Sequence, residues 1–273
     1  MRNEMSSVQI KRELCDMLKI LDKYLTSNNI KYSIICGTML GAVRHGGFIP
    51  WDDDIDVGIL REDYDRLVGI LKTNRYIDNK LWASGFEIDK VDWPFIKIYN
   101  SDIMVQDNGM AESSELWIDV FPFDNIPNNG SRFYWKRVDF LRKVYFKKRV
   151  LEGFYKESET KEGIINKSKE KIGLAIASVT DKNRLLEEYI KICTKYKTKK
   201  CNYIQDLTWG TKAVPRALFD EIVDYQFNDI TVKGFKDYDT YLKCVYGDYM
   251  QLPPEDQRVN HGIKAWRVTE NEK

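Results

Sequence analysis

The chain has 273 residues, of which 43% are hydrophobic, 31% charged and 13% aromatic, with a formal net charge of +1. That length supports one large domain or two small ones, and the near-neutral balance speaks against a nucleic-acid binder, which would carry a basic excess. Five cysteines without a C-x-x-C pair argue against a disulfide framework or a zinc site and fit reduced thiols. Residues 1–30 lack the apolar core and small-residue cleavage site of a secretory leader, and no apolar run is long enough to span a bilayer, so the expected location is cytoplasmic.

Taken in order, residues 8–28 carry Leu14, Leu18, Leu21 and Leu25 on one helical stripe, a helix that would cover a sheet. Lys31 to Cys36 reads as the first strand, ending at Gly37-Thr38. Met39 to Val43 then reads as a short helix with Arg44 and His45 at its C-terminal end. A small-residue turn before a helix leaves backbone N–H groups free to meet a phosphate. A second strand is expected from about Asp53 to Leu60. Alternation there puts Asp54 and Asp56 on one face, with Asp52 on the same side, Asp53 turned away and Ile55 and Val57 in the core. Taken alone, an Asp-x-Asp reads more readily as a solvated strand edge or loop. Close behind an anion cradle, the pair reads as a site for a nucleotide phosphate and its metal, because two adjacent carboxylates need a cation between them. Magnesium suits oxygen ligands of this kind, with manganese the alternative ion.

Arg61 to Lys72 reads as a helix burying Tyr64, Leu67, Val68 and Leu71. Short β segments follow around 93–99 and 103–106, where Pro94 implies an edge strand or a late start. Lys97 in the first segment is a candidate phosphate contact or a solvated strand lysine. Leu116 to Phe121 is a strong strand with Trp117, Asp119 and Phe121 on one face. A carboxylate inside an apolar strand is costly unless paired or metal-bound, which makes Asp119 a third candidate acid and a loop cap the plainer alternative.

Residues 132–151 form a long helix candidate with eight basic residues (Arg132, Lys136, Arg137, Arg142, Lys143, Lys147, Lys148 and Arg149) among aromatic and aliphatic ones. Such a helix suits a membrane surface, or merely solvates one face of a helix packed on its own domain. A loop at 153–160 and helices at about 163–179 and 182–197 follow. Asp237 to Tyr246 reads as a helix stopped by Gly247, and Pro253-Pro254 fixes an extended segment. Two lobes without a flexible joint are expected, 1–130 and 131–273, the second mainly helical.

The run GTMLGAVRHGGFIPWDDDIDVG from Gly37, with Asp54-x-Asp56 at its centre, resembles the polymerase-beta-type nucleotidyltransferase superfamily and, more narrowly, the LicD family. Two further blocks share the resemblance: Trp117 to Asp124, and Tyr238 to Pro254 with Arg258 and His261 beyond. The resemblance implies an α+β fold with a small mixed sheet. It also implies transfer of phosphocholine, or a related phospho-alcohol, from a CDP-linked donor to a hydroxyl of a cell-surface glycan or lipid-linked glycan.

On that expectation Asp54 and Asp56 hold the metal, with Asp119 completing the site and taking the acceptor proton, and with Asp52 as an extra ligand. Gly37, Thr38, Arg44, His45, Lys97 and His261 would contact the substrate and its phosphates, and Trp51 would anchor the loop into the catalytic strand. If choline is the alcohol, Trp93, Tyr99, Trp117, Phe121 and Trp209 are candidate faces for its ammonium. Three other functions use the same residues: a nucleotidyltransferase placing a nucleoside monophosphate on a hydroxyl, a metal-dependent Asp-x-Asp glycosyltransferase, and a non-catalytic binding module.

Overall fold

Eight strands of a single mixed sheet carry the helices of this chain, in a computed structural model that describes residues 4–91, 93–106, 112–128, 131–153, 173–258, 260 and 262–268. Helix α1 (Ser7–Ser27) opens on a Ser6/Gln9 capping box and buries Leu14, Leu18, Leu21 and Leu25, the stripe read from the sequence. Strand β1 (Tyr32–Ile34) is shorter than expected, and helix α2 (Cys36–His45) begins at once behind it. Gly37 and Thr38 therefore belong to the first turn of α2 and not to a turn ahead of it. Strand β2 (Asp56–Leu60) leads directly into α3 (Arg61–Thr73), which buries Tyr64, Leu67, Val68 and Leu71 as anticipated.

β3 (Leu81–Ser84) and the short helix α4 (Phe86–Asp89) precede β4 (Ile96–Gln106). The two β segments foreseen around Lys97 and Val105 are one strand, starting after Pro94, with its register broken between Asn100 and Met104. A ladder continues across that irregularity because both halves pair with the same long strand, β5 (Ser114–Asn125). The path through the sheet is β1-β2-β5-β4, with β2 and β5 parallel and the other pairs antiparallel. β3 adds to β4. Val57, Ile59, Ile96, Ile98, Leu116, Ile118 and Val120 are buried in the main core with the apolar stripe of α1.

The C-terminal half is less helical than expected. α5 (Arg132–Leu151), the described part of α6 (173–179) and α7 (Lys182–Cys193) form a second apolar cluster around Tyr134, Leu141, Tyr145, Leu186 and Tyr189. Beyond them the chain returns to the sheet. β6 (Tyr203–Gln205) pairs with β5 and with β7 (Val214–Pro215), and β8 (Ile222–Phe227) and β9 (Ile230–Phe235) form a hairpin. α8 (Tyr238–Tyr246) follows, and β10 (Lys264–Arg267) pairs with β4. A boundary at residue 130 thus cuts through one sheet, since backbone pairing and not sequence order closes it.

The basic helix also divides differently from its composition. Arg149 points inward at 1% exposure, its guanidinium 5.2 Å from the Trp93 ring centre. Arg137 pairs with Glu188 and Arg142 with Asp139. Among the described residues no helix is long and apolar enough to cross a membrane. The expected loop at 153–160 and the start of the 163–179 helix lie mostly outside the described residues, as does His261.

Candidate active site

Directly opposed residues in a sheet share a face, and that rule assembles the site. Asp56 on β2 stands opposite Asp119 on β5, Asp119 opposite Lys97 on β4, and Lys97 opposite Ser84 on β3. A row of two acids and a base therefore crosses three neighbouring strands on one face of the sheet. The segment before β2 is not laddered strand, yet the Asp119 N–H donates to the Ile55 carbonyl at 3.1 Å and extends the pairing by one residue. Alternation survives: Ile55 and Asp53 are buried, while Asp52, Asp54 and Asp56 are partly exposed.

Two contacts fix the acids against α2. The Thr38 hydroxyl, itself buried, accepts from the Asp56 N–H at 2.9 Å, and the Ile35 N–H donates to the Asp56 carbonyl at 3.0 Å. At the first position of α2, Cys36 adopts φ +49°, a left-handed conformation that costs a non-glycine residue about 1–3 kcal/mol. Tyr241 of α8 holds it there, accepting the Cys36 N–H at 3.0 Å. Gly37 is required by close approach: a Cβ there would lie 2.4 Å from Asp52 Oδ2. The N-terminus of α2 thus faces a carboxylate of the chain itself. Gly41 answers the same demand further on, where a Cβ would meet the Gly47 carbonyl at 2.3 Å as the loop folds back over the helix.

These elements wall a cleft of about 550 Å³ lined by Gly37, Arg44, Trp51, Asp52, Asp54 and Asp56 on one side. The opposite wall, Tyr246, Asp248, Tyr249, Gln251, Pro253 and Pro254, comes from the end of α8 and the segment after it. Pro253-Pro254 was legible as a rigid stretch, but nothing in its spacing said which cleft it closes. Arg44 donates through Nη1 to the Tyr249 carbonyl at 2.8 Å, and its buried Nε has no hydrogen-bond partner among the described residues. Arg258 donates to the Pro253 carbonyl at 2.9 Å and lies 5.2 Å from the Trp51 ring centre. His45 is exposed and edge-on to Trp51 at 6.4 Å, outside the lining of the cleft.

The electrostatics are those of crowded acids. Burial pushes the Asp56 carboxyl well above its ordinary range, and Asp54, Asp119 and Asp52 push it further, with Lys97 opposing. Lys97 is 3% exposed and donates to Asp119 Oδ1 at 2.6 Å. The Trp117 indole N–H reaches Asp119 Oδ2 at 3.3 Å. The Lys97 ammonium also lies 4.3 Å from the ring centre of Trp117, 4.5 Å from Trp93 and 5.4 Å from Phe95. Burial pulls its pKa below the ordinary lysine value, and Asp119, Asp56 and Asp54 resist that shift. Lys97 is thus neither a solvated strand lysine nor part of the cleft wall; its charge is committed to Asp119. Trp93 and Trp117, two of the candidate faces for a choline ammonium, already hold a lysine. Among the described residues no three His, Cys, Asp or Glu side chains converge into a metal cage, so Asp54, Asp56 and Asp119 do not form a ready-made triad.

Comparison with known proteins adds a family to this geometry. Residues 29–158 match the LicD/FKTN/FKRP nucleotidyltransferase domain. Over 273 aligned residues the chain is 28% identical to the lipopolysaccharide cholinephosphotransferase LicD of Haemophilus influenzae, covering 95% of this chain and 98% of that one. A 120-residue stretch is 32% identical to the human ribitol 5-phosphate transferase FKRP, covering 44% of this chain and 21% of the relative. A shorter stretch of 58 residues is 55% identical to an uncharacterized protein of Rickettsia prowazekii, covering 21% of this chain and 22% of that one.

Proposed function

We propose that this chain, whose residues 29–158 match the LicD/FKTN/FKRP nucleotidyltransferase domain, is a metal-dependent phosphotransferase moving phosphocholine, or a related phospho-alcohol, from a CDP-linked donor to a glycan hydroxyl. The observation that carries it is that Asp52, Asp54 and Asp56 line one cleft beside α2, with Asp119 next to Asp56 in the row across the strands. The names of two relatives, a cholinephosphotransferase and a ribitol 5-phosphate transferase, support a phospho-alcohol as the group moved.

The donor set fits magnesium or manganese: Asp54 and Asp56 offer hard oxygen ligands, and the upward push on Asp56 is the strain a cation between them would relieve. With two protein carboxylates, the rest of the ion's shell belongs to donor phosphate and water, which is how magnesium is usually held. When bound, the ion would neutralise the diphosphate and stabilise the departing nucleotide.

In the transfer, the acceptor oxygen forms a bond to the phosphorus that bears the alcohol, the bridging P–O bond breaks, and CMP leaves with that electron pair. Asp119 takes the acceptor proton, and Lys97 holds its carboxylate in place. Arg44, which lines the cleft and is held by its Nη1 donation to the Tyr249 carbonyl, meets the donor phosphates. Thr38 acts through the backbone of Asp56 and not on the phosphate. A lipid-linked acceptor would bring the protein to the inner membrane face, where the outward side of α5, with Lys136, Lys143, Phe133 and Phe140, supplies the contact.

Purified protein with magnesium and a panel of CDP-alcohols should release CMP and label a glycan acceptor. Pyrophosphate released from a nucleoside triphosphate, with no CMP from any CDP-alcohol, would instead identify a nucleotidyltransferase.

A further inference from the structure

The sheet face that carries Asp56, Asp119 and Lys97 does not end at the acid cleft. Beyond Lys97 it continues into a separate pocket of about 390 Å³, walled by Trp82, Trp93, Tyr99, Met104, Ser114 and Glu115. The ladder explains why these residues meet. Trp82 on β3 stands opposite Tyr99 on β4, and Tyr99 opposite Trp117 on β5, two residues along from Asp119. Glu115 lies four residues from Asp119 on β5, on the same face, and so about 13 Å away at ~3.3 Å per residue. That span exceeds one hexopyranose.

The lining is selective. The Glu115 carboxylate accepts from the Trp82 indole N–H at 2.6 Å, and burial raises its pKa. Serine hydroxyls of Ser113 and Ser114 share the wall with it, against Tyr99, Met104 and Val91 as the apolar side. Such a mixture of apolar wall and a few placed acceptors and donors is how sites recognise small polar molecules. Two of the three lining rings, Trp82 and Trp93, already have a cation of the chain against them, which disfavours an ammonium ligand there. Arg75 lies 4.9 Å from the Trp82 ring centre, which also stacks on Tyr99 at 4.9 Å. Lys97 and Arg149 lie 4.5 Å and 5.2 Å from the Trp93 ring centre. A neutral ligand with several hydroxyls and an apolar side matches what remains.

We propose that this pocket is an acceptor subsite, binding a sugar unit of the glycan at a distance from the hydroxyl that reacts beside Asp119. The inference rests on the transferase function proposed above, and the experiment separates the two. Glu115→Gln keeps an acceptor for the Trp82 indole while removing the charge, and Ser113→Trp fills the pocket from an exposed position. Binding of linear hexose and N-acetylhexosamine tetrasaccharides, and of the matching monosaccharides, is measured by calorimetry, beside transfer kinetics with the CDP-alcohol donor.

Wild-type protein should bind at least one tetrasaccharide. Both variants should weaken that binding, and raise the tetrasaccharide KM, by about tenfold with kcat and donor affinity within about twofold. Choline alone should not compete. If the variants lose binding in a protein that transfers nothing from any donor, the subsite stands and the transferase function falls. Transfer that proceeds equally in the variants, failure of every tetrasaccharide to bind, or competition by choline would each overturn the subsite.

Discussion

Lys97→Met is the sharpest test of the row across β2, β5 and β4. The ammonium lies 2.6 Å from Asp119 Oδ1 and is 3% exposed, against 14% for its partner. At that separation the pair attraction is about 6 kcal/mol at an effective dielectric near 20, before either ion's desolvation is charged against it. Removing the lysine takes away the ion-pair partner at 2.6 Å from Asp119, and breaking a buried pair from one side typically costs ~3–5 kcal/mol. The slight exposure of Asp119 places the expected loss near the lower bound, about 3 kcal/mol. Methionine keeps the aliphatic stem against Trp93 and Trp117, so the loss reports the charge and not a cavity. Urea unfolding at pH 7 should give that loss with an unchanged m-value. In a double-mutant cycle with Asp119→Asn, the second change should cost far less in the Lys97→Met background, with a coupling of at least ~2 kcal/mol. A single-variant loss under ~1 kcal/mol, or no coupling, would refute the paired row.

Three further outcomes follow from the same geometry. Asp54→Asn and Asp56→Asn should each reduce turnover by more than about a hundredfold, as expected for loss of a metal ligand. Asp56→Asn should also raise the melting temperature in chelator, because burial and like charges hold that carboxyl high; a lower melting temperature would contradict this. Gly37→Ala should leave stability within about 1 kcal/mol, since alanine favours a helix. It must nevertheless displace the Asp52 carboxylate that would lie 2.4 Å from the new Cβ, so the donor KM should rise. An unchanged KM would remove Asp52 and the α2 N-terminus from the donor site. Asp206, 1% exposed, has its pKa pushed up to about 6 by burial. The folded state therefore holds that proton more tightly than the unfolded chain, whose carboxyl titrates near ~3.9. The stability this supplies is complete below pH ~4 and lost as pH rises through about 6, on the order of 3 kcal/mol in all. Asp206→Asn should thus stabilise the protein relative to wild type at pH 7.5 and much less at pH 4.5. A difference independent of pH would refute the shift.

Sequence alone determined the parts of this protein that depend on local order. The leucine stripe of α1, the buried face of α3 and the limits of α5 all follow from helical periodicity, because a helix must bury one side. Alternation likewise placed Asp52, Asp54 and Asp56 on one face before any strand was seen, and it holds even where the ladder has not begun. Tertiary structure decided everything that depends on who stands opposite whom. Register sets Lys97 against Asp119 and makes it an internal counter-charge, a matter of pairing between strands about twenty residues apart. The same pairing commits Trp93 and Trp117 to a lysine of the chain and opens a second pocket past them. It returns β10 to the edge of β4 and brings the segment after α8 over the acids, from a half of the chain expected to be a mainly helical lobe packed on the core. Periodicity records which side of an element is apolar; only the closed sheet determines which charges that side must answer.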